Sequence, residues 1–204
     1  MSLEEFWNAF YDDSAPFFVA DIVADNGDQV NGFTYWSDPP ELDYLTSAYK
    51  RPTVSWRKYD AKLHVSDNPF GANDVNETKN IMLLDKSDTN LEFAEIVEFT
   101  GILYAERLQV WAKWDIFTDD PRSQKVIMRH SYKIVWLSQP FAVWRLLEQM
   151  VHNKYDPELD TEPAWYRAKK DQYLVGLENG DYELPSERPY WETGAGDDTH
   201  EGGF

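Results

Sequence analysis

The stretch from residue 103 to 151 constrains this chain most: two long alternating runs, a sharp turn between them, then a bulky apolar helix. Leu108, Val110, Ala112, Trp114 and Ile116 alternate with Gln109, Trp111, Lys113 and Asp115. Alternation of period two marks a strand with one face out of water. Asp119-Asp120-Pro121 breaks the run, because proline fixes its backbone angle and cannot donate to a ladder. Val126, Met128, His130, Tyr132, Ile134 and Trp136 then share one face of the next run. After Pro140 the apolar spacing turns helical, through Val143, Leu147, Met150 and Val151, and predicts a helix from about 140 to 153. A helix of that bulk after the final hairpin is expected to lie across the sheet. Such an arrangement can enclose a cavity, and a cavity points to a ligand rather than to a reaction.

Upstream, Ser2 followed by Glu5 reads as a capping box. Leu3, Phe6, Phe10, Trp7 and Tyr11 fall at helical spacings, so residues 3–12 are expected to be a short amphipathic helix. Strands are expected over Phe17 to Val23, Val30 to Trp36, Thr53 to Val65, Thr78 to Leu84 and Leu91 to Thr100. Turn residues separate them, and Gly101 marks a bend into the run from 103 to 117. Strands flanked by helices in this order predict an α+β fold: a curved antiparallel sheet gripping a long C-terminal helix. Residues 155–204 differ in character, with 13 acids against 4 bases. They are expected to form an acidic extension outside a ligand-binding domain of residues 1–154, with one helix over about 162–175 and then a flexible tail.

Charge narrows the function. The chain carries 37 acids and 19 bases, a formal net charge of −18. Such a field repels phosphate backbones and anionic lipid, so nucleic acid is excluded as a partner and membrane contact is at most transient. The absence of Cys excludes thiolate catalysis and sulfur-ligated zinc. The N-terminus has no signal-peptide pattern, and no apolar run approaches ~20 residues, so a cytoplasmic protein is expected. Aromatic residues make up 16% of the chain. Most rings of this kind fill a core, and some can line a pocket for a bulky apolar ligand.

Several stretches resemble the START-like (helix-grip) superfamily and, within it, the VASt domain of sterol-handling proteins. Phe6-Trp7-Asn8-Ala9-Phe10-Tyr11-Asp12-Asp13 is similar to that family's opening helix and its acidic end. Trp36, Arg51 and Tyr59 stand where its next landmarks fall, and the loop from Asn68 to Thr78, with Phe70-Gly71, stands at its Gly-Pro turn. Ile102 to Val110 is similar to its tyrosine-containing segment, and His130 to Met150 follows its last strand and helix. The likeness spans about residues 3–153. Ala72 and Ala105 depart from it, at positions where the family usually has Pro and Gly. The resemblance implies a cavity for a sterol or another bulky apolar lipid, held without a cofactor.

The expected lining is Trp56, Val97, Trp114, His130, Tyr132, Trp136 and Leu147, with Leu146 and Met150 nearby. His130 or Tyr132 would orient a ligand hydroxyl, and the loop over residues 66–76 would open the entrance. Catalytic and metal-binding residues are not expected. No G-x-S-x-G, H-E-x-x-H, phosphate loop or dinucleotide fingerprint is present, and no His has companions at metal-ligand spacing. His152 is placed near a helix end. Glu92 and Glu98 share a strand face and Glu95 points the other way, a pattern read as a solvated strand face rather than a catalytic pair. Two other readings stay open. One is a small cyclase or dehydratase on the same scaffold, with His130 or Tyr132 as acid and base. The other is an interaction module with a filled core.

Overall fold

The structure is a computed structural model, and it describes residues 1–18, 21–25, 27–39, 52–64 and 74–182. The first helix, α1 (Leu3–Phe10), begins as its capping box requires: the Glu5 N–H donates to Ser2 Oγ at 3.2 Å, and the Ser2 N–H donates to Glu5 Oε2 at 2.6 Å. Its apolar face goes into the core, where Trp7 stacks on Trp36 and Phe93, and Tyr11 stacks on Phe93 at 4.4 Å between ring centroids. Within the expected strand over Phe17 to Val23, residues 17–18 are not strand and residues 21–23 belong to a short helix, α2 (Asp21–Asp25). A local bond decides this: the Phe18 N–H donates to the Asp21 carboxylate at 2.9 Å, which offers the backbone an alternative to a ladder.

Six strands follow: β1 (Gln29–Phe33), β2 (Ser55–His64), β3 (Asp74–Lys86), β4 (Asn90–Thr100), β5 (Leu108–Phe117) and β6 (Ile127–Trp136). They form one antiparallel sheet in chain order, each strand beside the next. Residues 103–107 are not part of β5. Gly101 (φ +97°) and Tyr104 (φ +66°) take left-handed backbone, and a 3₁₀ turn over Ala105–Arg107 reverses the chain into β5. The final hairpin pairs Trp114 with His130, Ala112 with Tyr132 and Leu108 with Trp136. Alternation therefore places Met128, His130, Tyr132, Ile134 and Trp136 on the face that also carries Val110 and Trp114.

A single helix, α3 (Trp144–Asn179), runs for 36 residues, about 54 Å at 1.5 Å per residue. It crosses the sheet's inner face, burying Leu147, Val151, Tyr155, Tyr166 and Tyr173 in the main core. The helix runs through the expected division at 154/155, so residues 155–179 continue it. Pro157 and Pro163 lie inside it. Each removes one backbone donor, yet the buried stripe of aromatic and acidic side chains holds the helix together across both. Residues 183–204 of the expected tail lie outside the described residues, as do the Arg51 landmark and positions 66–73 of the expected entrance loop. Among the described residues, no helix is long and apolar enough to cross a membrane.

Candidate functional site

The stripe of α3 that faces the sheet reads Leu147, Val151, Tyr155, Glu158, Glu162 and Tyr166. The spacings of three and four residues place these side chains on one side of a helix. The stripe changes chemistry along its length. Its first part is aliphatic, its middle is Tyr155, and its second part is acidic. The sheet changes in the same direction, from Leu63, Val75 and Phe99 at one end to Tyr59, Lys79, Glu95 and Trp114 further along.

A cavity of about 240 Å³ lies under the aliphatic part. Leu63, Val75, Phe99, Ile102, Ala105, Leu108, Leu147, Met150 and Val151 line it, with His64, Asn153, Lys154 and Tyr155 adding polar atoms. The Lys154 ammonium is held by Asp28 at 2.8 Å and Glu158 at 3.2 Å. A dry engineered cavity of roughly 150 Å³ holds benzene, so by proportion this one takes a body of about ten non-hydrogen atoms.

A second, small cavity of about 20 Å³ lies further along the same stripe. Ile22, Tyr59, Lys79, Glu95, Trp114, His130, Tyr155, Glu158 and Glu162 line it. This volume is enough for one water. Tyr155 lines both cavities and separates them.

The small cavity sits in a buried polar cluster. Lys79 pairs with Glu77 at 3.3 Å. Burial works against the Lys79 charge, but Glu77, Tyr59, Tyr155 and Glu95 outweigh it and hold the amine above its ordinary range. Burial raises the carboxyls of Glu77 and Glu95. It pushes Glu162 up to about 8, against the opposing pull of Lys79 and with help from Glu158 and Glu95. His130 stacks on Trp114 at 3.6 Å between centroids. Burial, then Lys79, pushes its imidazole down to about 4.

His130 Nδ1 lies 3.7 Å from Glu162 Oε2, a distance that would suit an ion pair if both groups were charged. At neutral pH the shifts leave His130 uncharged and Glu162 mostly protonated, and 3.7 Å is too long for a hydrogen bond. Both His130 ring nitrogens, Glu162 Oε2 and the Tyr155 hydroxyl are buried without a hydrogen-bond partner among the described residues. Buried polar groups are nearly always satisfied. Four such atoms around a water-sized space describe a site built for a polar group.

Of the expected lining residues, only Leu147, with Met150 beside it, reaches the larger cavity. Trp114 and His130 line the small one. Val97 is fully buried in the sheet's inner core and lines neither. Trp56 is corrected to the opposite face of the sheet, where it packs with Trp111 over Met82, Leu84, Ala94 and Ile96. The β2 alternation explains this: Ser55, Arg57 and Tyr59 point inward, so Trp56, between Ser55 and Arg57, points out. Tyr132 bonds His152 Nδ1 at 2.8 Å and donates to the Asp156 carboxylate, both on the exposed edge of α3. Trp136 donates to Glu148 at 2.8 Å. Both clamp α3 to β6 and line neither cavity. Leu146 is half exposed. His152 is corrected from a helix end to the interior of α3.

Glu95 faces inward into the small cavity, and Glu92 is buried as well, so the solvated-face reading of these acids is replaced. Arg57 was not anticipated either. Its guanidinium is 1% exposed, lies 4.3 Å from the Phe18 ring and 4.1 Å from the Trp36 ring, and has no hydrogen-bond partner among the described residues. Burial lowers it to about 10, with Tyr11 and Asp13 opposing. The signal that could have found these groups was charge at inward parity: Arg57, Lys79 and Glu95 each sit in phase with the apolar residues of their strands. Among the described residues, no group of three or more acids and histidines converges as a metal site would require.

The fold and site together describe an antiparallel sheet and a helix with two neighbouring spaces between them, a mainly apolar pocket that is partly open to solvent and a small polar one. A scan against models of known protein families finds no match. A search of curated proteins finds no significant relative.

Proposed function

We propose that this chain is a START-like helix-grip protein that binds a compact apolar small molecule between α3 and the inner face of the sheet. The observation that carries this reading is the cavity of about 240 Å³, walled mainly by aliphatic and aromatic side chains. Removing apolar surface from water there stabilises a complex by about 25 cal/mol per Å². A space that takes about ten non-hydrogen atoms suits a medium alkyl chain or a one- or two-ring hydrocarbon. A sterol is larger than this space, so compact apolar bodies fit it best.

Two further readings were open. The filled-core interaction module is disfavoured by the same cavity. The acid/base enzyme draws support from Glu162 facing His130, but the space between them holds only a water, and Tyr132 stands outside it.

The test is thermal unfolding in the presence of compact apolar compounds and of polar metabolites. At one hundred times Kd a ligand adds ~2.7 kcal/mol. For a chain of this size that is a rise of roughly 5–10 °C. Apolar compounds are expected to give this rise and polar metabolites none. A flat response to every apolar compound refutes the reading.

A further inference from the structure

We propose that the ligand is amphipathic, with an apolar body in the larger cavity and a primary amine reaching past Tyr155 into the small polar one. This rests on the cavity-binding reading and adds the chemistry of the ligand's other end.

Three observations carry it. First, the two cavities are neighbours along one helical stripe, with the Tyr155 side chain as the shared wall. Val151 lines the first and Glu158 the second, seven residues apart, which is about 10 Å along α3. A medium alkyl chain spans that distance. For a ligand to reach from one cavity to the other, the Tyr155 side chain must turn aside.

Second, the small cavity holds unused hydrogen-bonding capacity. Glu162 Oε2, the Tyr155 hydroxyl and both His130 nitrogens are buried and unpartnered among the described residues. An ammonium group presents three donors. The Glu162 carboxylate, the Tyr155 oxygen and the acceptor nitrogen of neutral His130 can each accept one.

Third, the sign of the charge selects the head group. Lys79 is already paired with Glu77, and Glu158 with Lys154. Glu162 has no cation within ion-pair distance among the described residues, its only such neighbour being the uncharged His130. The cavity also carries Glu95. An incoming ammonium would return Glu162 to its ionised form and pair with it, and charge-assisted bonds are the strong ones. A hydroxyl would satisfy the same atoms without the charge gain. A carboxylate would bring a further negative charge among acids.

The test is isothermal titration of the full chain with decylamine, decanol and decanoate below their aggregation concentrations. Decylamine is expected to bind at least roughly ten-fold more tightly than decanol, with decanoate weakest. In Glu162→Gln the ratio of decylamine to decanol affinity is expected to fall to about two-fold or less. Decanoate binding as tightly as decylamine overturns the head-group assignment. So does a Glu162→Gln protein that keeps the amine advantage. The wild-type ranking decides the matter by itself if the variant does not fold. Failure of all three probes to bind instead removes the cavity reading, so the two failures are distinct.

Discussion

Glu162→Gln has a consequence for stability that can be worked from the site. The Glu162 side chain is nearly enclosed, and its carboxyl is raised from 4.5 to about 8 in the folded chain. A raised acid binds its proton more tightly when folded than when unfolded. Its contribution is therefore fully present below about pH 4.5 and is lost as pH rises through about 8. Each unit between those values is worth ~1.4 kcal/mol. From pH 5.5 to 7.5 the wild type should lose roughly 2.5–3 kcal/mol from this group alone. Glutamine keeps the shape and cannot ionise. The variant should match the wild type to within about 1 kcal/mol at pH 5 and exceed it by about 3 kcal/mol at pH 7.5. His130 works in the other direction. Lowered to about 4, it costs stability as pH falls from 6.5 through that value, but burial and Lys79 set that shift in both proteins, so most of it cancels in the difference above about pH 6.5, where His130 is neutral folded and unfolded. Urea denaturation followed by tryptophan fluorescence, at intervals from pH 5 to 8.5, measures the difference directly. A gap between the two proteins that stays constant across that range refutes the burial argument.

Other substitutions test the packing and the buried charges. Lys79→Met leaves Glu77 buried without its cation and should cost about 3–5 kcal/mol, whereas replacing Glu77 and Lys79 together with Met should recover most of that, read by denaturation of both variants. Trp7→Ala removes a fully buried ring stacked on Trp36 and Phe93 and should cost about 3–5 kcal/mol by the same assay. A cost under about 1 kcal/mol would show that α1 is not anchored through this ring.

The strands were legible because their alternation is strict and one face is apolar. The last hairpin, the inward set from Met128 to Trp136 and the capping box at Ser2 could all be read from spacing. The reading failed where tertiary burial overrode local signals. Asp156-Pro157 and Glu162-Pro163 carry the marks of a helix break, yet α3 runs through both because Tyr155, Glu162 and Tyr166 are held against the sheet. Trp56 illustrates a different limit. A tryptophan looks like core, but strand parity decides its side, and Arg57 rather than Trp56 is inward. Glu92, Glu95 and Glu98 read as a solvated face because charge is rarely buried without a partner, and parity alone does not reveal the partner. The register that brings Tyr59 beside Lys79, and Lys79 beside Val97, comes only from pairing.

The most direct test of the central claim is calorimetric titration of decanol into the wild type and into Val151→Trp. Val151 is buried and lines the larger cavity, and an indole at that position takes up most of the space and leaves too little for a decyl chain. The wild type should bind one decanol per chain, and the variant, with its circular dichroism and melting temperature retained, should bind none. Equal binding by both proteins, or none by the wild type, would contradict an apolar ligand held between α3 and the sheet.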